Sequence, residues 1–79
     1  MPQLPVISGK NFIVFLEFLG FKVVRINGSH HRQKHPDGRI TTLPFHKNED
    51  LPRGLLSKII RDDLGLEPDQ FIKLYRQLK

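Results

Sequence analysis

Hydrophobic positions recur with helical spacing in three stretches of the chain, and between the first two lies a block of short β-branched and polar runs. Phe12, Ile13, Phe15, Leu16 and Leu19 gather on one helical face. Ser8 stands where a cap would accept the first free N–H groups, and Gly20 where a left-handed stop would fall. The next residues, 22–26, read Lys-Val-Val-Arg-Ile and predict a strand. Asn27-Gly28 follows, the dipeptide best suited to a two-residue hairpin turn. A returning strand is expected over residues 29–35, a turn on Pro36-Asp37-Gly38, and a third strand over 40–43 that Pro44 ends. Beyond it, Leu55, Leu56, Ile59, Ile60 and Leu64 form the stripe of a second helix, entered at Asp50-Leu51-Pro52 and closed by Gly65. Pro68 opens a third helix with Phe71, Leu74, Tyr75 and Leu78 on one face, and with Lys73, Arg76 and Lys79 near its negative end.

The expected class is therefore α+β, in the order α-β-β-β-α-α. Tight turns between sequential strands make a three-stranded antiparallel meander, and its apolar face needs the helices as cover. No repeat, linker or low-complexity stretch interrupts the chain, so residues 1–79 are read as one domain. A chain of this length holds a single small core. Six Phe and a hydrophobic share of 38% suffice for that core and argue against disorder.

Charge adds a direction. The formal net charge is +5, and its distribution matters more than its size. Residues 1–48 carry seven Lys and Arg against two acids, whereas residues 49–79 carry six against six; all four His also fall in the first part. A positive field localised in this way attracts polyanions. The chain has no cysteine, which excludes disulfides, thiolate zinc sites and cysteine nucleophiles. The opening Met-Pro-Gln-Leu-Pro has no basic and apolar leader pattern, and no run approaches the roughly 18 apolar residues of a membrane span. A cytoplasmic protein without a membrane segment is expected.

The middle strand, Ser29-His30-His31-Arg32-Gln33-Lys34-His35, contains no aliphatic residue. Its side chains alternate, so His30, Arg32 and Lys34 share one face and His31, Gln33 and His35 the other. A shared metal site does not follow: His30 and His31 point apart, and His31 and His35 lie about 13 Å apart at about 3.3 Å per residue, while zinc ligands must converge to about 2 Å of the ion. Activation of Ser29 by His30 fails on the same alternation. An imidazole flanked by cations suits two other tasks, nucleic-acid binding and cleavage of an RNA phosphodiester by its own 2′-hydroxyl. In the second, imidazole acts as base or acid near neutral pH, and Arg25, Arg32 and Lys34 hold the phosphate.

Over its whole length the chain resembles the HicA toxins. The resemblance is carried by Leu4-Pro5-x-x-Ser8-Gly9-Lys10, Leu19-Gly20-Phe21, Val24-Arg25, Gly28-Ser29-His30-His31 and His35-Pro36-Asp37-Gly38-Arg39. It continues through Pro44-x-His46, the run from Leu51-Pro52-Arg53-Gly54 to Ile59-Ile60-Arg61, and Leu64-Gly65-Leu66. It implies a fold similar to a double-stranded-RNA-binding domain and metal-independent cleavage of mRNA that inhibits translation, with no cofactor. It also implies His30 as the catalytic residue, with mRNA and a HicB-type antitoxin as partners. Lys22, Arg25, Gly28, Ser29, Arg32 and Lys34 are the expected RNA-binding residues. The alternative is a non-catalytic double-stranded-RNA-binding module, but such a module wants a lysine cluster at the start of its last helix, where this chain offers Arg53 and Lys58. Departures from the family pattern are Arg32 and Gln33, where an aliphatic and an aromatic residue are common, and Glu49, where a basic residue is. They bear on the RNA contacts, including any made by His46 and Lys47.

Overall fold

The computed structural model describes residues 4–46 and 49–78; residues 1–3, Lys47, Asn48 and Lys79 lie outside the described residues. The order is α1 (Gly9–Leu19), β1 (Lys22–Asn27), β2 (His30–Lys34), β3 (Ile40–Pro44), α2 (Arg53–Lys58) and α3 (Pro68–Leu78). Between the last two, α2 passes directly into a π-helical segment, Ile59–Asp63. The α+β reading and the α-β-β-β-α-α order are what the chain adopts.

Local chemistry sets the boundaries. Ser8 Oγ accepts the N–H of Asn11 at 3.1 Å, which caps α1. Gly20 closes that helix at φ +107°, and a Cβ there would meet His35 Nε2 at 3.0 Å. Two expectations shift by a residue. Asn27 is not a central turn residue: it pairs with His30 as the end of β1, and the loop is Gly28-Ser29, with Gly28 at φ +61°. Glycine takes the positive φ without a Cβ clash, which leaves Asn27 in the ladder. Pro52 likewise precedes its helix, because its ψ of 138° is still extended and helical geometry begins at Arg53.

The sheet runs β1-β2-β3, antiparallel throughout. Against one face lies a core of Phe12, Phe15, Leu16, Phe21, Leu43, Ile60 and Phe71, each at most 1% exposed. Phe15 and Phe71 meet edge to face at 4.9 Å, and each buried aromatic of this kind stabilises the fold by about 1.5–3 kcal/mol. Two polar links fasten β3 to the second helical unit. Thr41 Oγ1 donates to Asp63 Oδ2 at 2.8 Å, and Arg39 Nη1 donates to the carbonyl of Leu64 at 2.7 Å while its guanidinium lies over the Phe21 ring. Both links lie on the helical side, and the opposite sheet face is exposed.

Candidate nucleic-acid interface

The ladder sorts the sheet into cross-strand rows. Three rows face away from the helices: Lys22, Lys34 and Ile40; Arg25, Arg32 and Thr42; Asn27, His30 and Pro44. All are exposed except Pro44, which is half-buried. Two rows lie on the helix side of the sheet: Val23, Gln33 and Thr41; Ile26, His31 and Leu43; of these the β1 members Val23 and Ile26 stay exposed.

Simple alternation along β1 would have put Lys22 and Arg25 on opposite faces. They share one because the register slips between Val23 and Arg25, where Val24 is an extra, unpaired residue. This is a β-bulge, and it brings Lys22 onto the face of Arg25. Arg25 and Asn27 themselves stand opposite Arg32 and His30 by pairing counted from the Gly28-Ser29 turn. Together Arg25, Asn27, His30, Arg32 and Thr42 line an open basin of about 250 Å³. That is smaller than the ~300–1,000 Å³ pockets that take drug-sized ligands, and it suits one segment of a longer chain.

Of the expected residues, His30, Arg25 and Arg32 are brought together in the basin. Lys22 and Lys34 form the far row of the same face, about 13 Å along the strand from His30. Gly28 and Ser29 make the turn beside His30, and the Ser29 carbonyl accepts the N–H of Phe45. His46 lines a separate hollow with Glu49, Asp50 and Leu51. Asn27 and Thr42 are basin residues that sequence reasoning missed; their signal was the strand register, not their residue type.

The electrostatics of the face are one-sided. Lys22 stands directly opposite Lys34, and Arg25 directly opposite Arg32, with no carboxylate in any of the three outer rows. Like charges placed directly across an antiparallel pair are destabilising, so the free protein carries a cost on this face that a bound polyanion would relieve.

The remaining His of β2 and its turn serve the fold. His31 packs its ring on Phe45 at 4.9 Å between centroids. His35 Nε2 lies 2.9 Å from the Leu19 carbonyl, which only accepts, so that nitrogen carries the hydrogen. On the other side of the ring, Nδ1 lies 3.1 Å from the Asp37 backbone nitrogen and 2.9 Å from Asp37 Oδ1. His35 thus ties the end of α1 to the β2–β3 turn. In that turn the Asp37 carboxyl is held below its ordinary value, chiefly by the backbone N–H of Arg39 at 3.0 Å; desolvation opposes this, and the Arg39 guanidinium at 2.7 Å and the nearby His35 add to it. Among the described residues no group of three or more His, Asp or Glu is placed to hold an ion, and no helix is long and apolar enough to cross a membrane.

Compared with known families, residues 9–65 match the model described as HicA toxin of bacterial toxin-antitoxin. No curated protein matches the chain.

Proposed function

This chain belongs to the HicA family of bacterial toxin–antitoxin toxins, and from that premise we propose that it is a metal-independent endoribonuclease acting on mRNA, with His30 as its catalytic residue. Family membership implies a cognate antitoxin as partner. The observation that carries the nuclease reading is the outer sheet face, where one exposed imidazole stands among four cations in two like-charged cross-strand pairs.

The chemistry follows from that arrangement. His30 takes the proton of a 2′-hydroxyl, and the 2′-oxygen bonds to the adjacent phosphorus. The P–O5′ bond then breaks, and the 5′-oxygen leaves as an alcohol on taking a proton from solvent. Arg25 and Arg32 flank the phosphate and stabilise the charge that grows on it. Lys22 and Lys34 hold the neighbouring backbone, and Gly28-Ser29 fixes the turn from which His30 emerges. General-base catalysis of this kind contributes about 10²–10⁴-fold in rate.

The test compares purified native protein and His30→Ala on single-stranded RNA and DNA in excess EDTA. RNA should be cut by the native protein to 2′,3′-cyclic phosphate ends, DNA should stay intact, and His30→Ala should lose the activity by at least about 10². His30 is exposed, so the variant should melt within about 0.5 kcal/mol of the native protein. Cleavage at the native rate by His30→Ala, or loss of activity that tracks unfolding, removes the assignment. Activity abolished by EDTA and restored by a divalent ion removes the metal-free mechanism.

A further inference from the structure

Asn27 has no structural employment that accounts for it. The dipeptide Asn27-Gly28 marks a turn, yet the turn is made by Gly28 and Ser29, so the tolerance of Asn for positive φ goes unused. It ends β1 instead, where Asn is disfavoured, and its amide makes no hydrogen bond to another side chain among the described residues. The ladder places it directly opposite His30, where facing Cβ atoms stand about 4.5–5.5 Å apart. Both side chains line the basin with Arg25, Arg32 and Thr42.

We propose that Asn27 is a substrate-contacting residue whose amide hydrogen-bonds the ribose 2′-hydroxyl held at His30, so that it selects RNA over DNA. The inference rests on the nuclease reading above. The basin has guanidinium groups for phosphate, and a neutral amide adds little to those. A hydroxyl, by contrast, both donates and accepts, as the Asn amide does, and the 2′-hydroxyl is the group by which a protein tells RNA from DNA. The residue directly across from the base reaches the same oxygen: His30 takes its hydrogen while Asn27 Nδ2 donates to its lone pair. The pairing counted from the Gly28-Ser29 turn is what gives Asn27 this face.

The experiment measures affinity, not turnover. In a His30→Ala background, fluorescence anisotropy gives the Kd for a 12-nucleotide single-stranded RNA and for the DNA of the same sequence, with and without Asn27→Ala. Loss of one neutral hydrogen bond should weaken RNA binding by roughly 2- to 12-fold and leave DNA binding unchanged, so that the RNA:DNA preference falls by that factor. Asn27→Val, which suits a strand end better, is measured beside it and should give the same fall. Equal weakening of RNA and DNA, or no change in either, overturns the assignment. The two readings fail separately: RNA cutting by His30→Ala, seen on a gel, overturns the catalytic role of His30. An unmoved RNA:DNA ratio overturns the role of Asn27 whatever the gel shows.

Discussion

Gln33 sits in the middle of β2, faces the helices and is fully buried, and neither its Oε1 nor its Nε2 has a hydrogen-bond partner among the described residues. Its cross-strand neighbours are Val23 and Thr41, and the Thr41 hydroxyl is already committed to Asp63. An amide desolvated without partners costs about 1–3 kcal/mol. Gln33→Met keeps the length and shape of the side chain and removes both polar atoms, so that cost should be recovered. For a domain of this size each kcal/mol moves the midpoint by about 4–8 °C, and the rise should be about 4 °C or more. Calorimetry gives the midpoint, and urea unfolding checks that the m-value, and so the surface exposed, is unchanged. Because Gln33 faces away from His30, RNA cleavage should be retained. A Gln33→Met protein with native m-value that melts at or below the native temperature would refute the argument, for it would show that the amide is hydrogen-bonded in solution.

The other expectations concern the charged face, the β2–β3 turn and the end of α1. Replacing Arg32 and Lys34 together by Gln should lower the log–log salt slope of RNA binding by about 1.4, at about 0.7 per lost single-strand phosphate contact; the same change at Lys73 and Arg76 should leave it unaltered, and equal effects would move the RNA surface elsewhere. Lys34→Thr relieves the opposition to Lys22 and should raise stability by about 0.2–1 kcal/mol while RNA binding weakens, as thermal melting and titration would show. The lowered Asp37 carboxyl contributes stability above its ordinary value of 3.8 and loses it as pH falls through the still lower folded value. Native protein should therefore outlast Asp37→Asn near neutrality, with the gap in melting temperature closing below about pH 3.8. Gly20→Ala places a methyl at positive φ and 3.0 Å from His35 Nε2, so it should cost more than about 1 kcal/mol in urea unfolding.

Sequence reached the helices because their signal is local. Phe12, Phe15 and Leu16, or Phe71 and Tyr75, repeat with the helical period and are buried on that face. Ser8 and Gly20 were legible for the same reason, since each acts within a turn of its own position. The site was half legible. Alternation alone put His30, Arg32 and Lys34 together, whereas the placement of Arg25 and Asn27 depends on the turn falling at Gly28-Ser29, and that of Lys22 on a bulge that no Gly or Pro marks; Val23 and Val24 read as ordinary strand residues. Alternation set His30 apart from His31 and His35, but it did not show what holds those two. His35 is set by the carbonyl of Leu19, 16 residues earlier, and His31 by the ring of Phe45. A strand without aliphatic residues still threads the fully buried Gln33 into the core, because the helix-facing side of a middle strand is covered whatever its composition.

The bulge also decides how much change in length β1 can absorb. Between Lys22 and Arg25 the strand holds one more residue than the ladder uses. Removing Val24 would straighten the strand and leave Lys22, Arg25 and Asn27 on their present face. Removing Val23 as well would invert the strand ahead of Arg25 and turn Lys22 toward the helices, while Arg25 and Asn27, anchored from the Gly28-Ser29 turn, would not move. What this segment must conserve is therefore the parity of its paired ladder positions, counted backward from the hairpin, and not its number of residues. A homologous strand shorter by one residue could present the same outer face, whereas one shorter by two would lose its outermost cation before it lost anything next to His30.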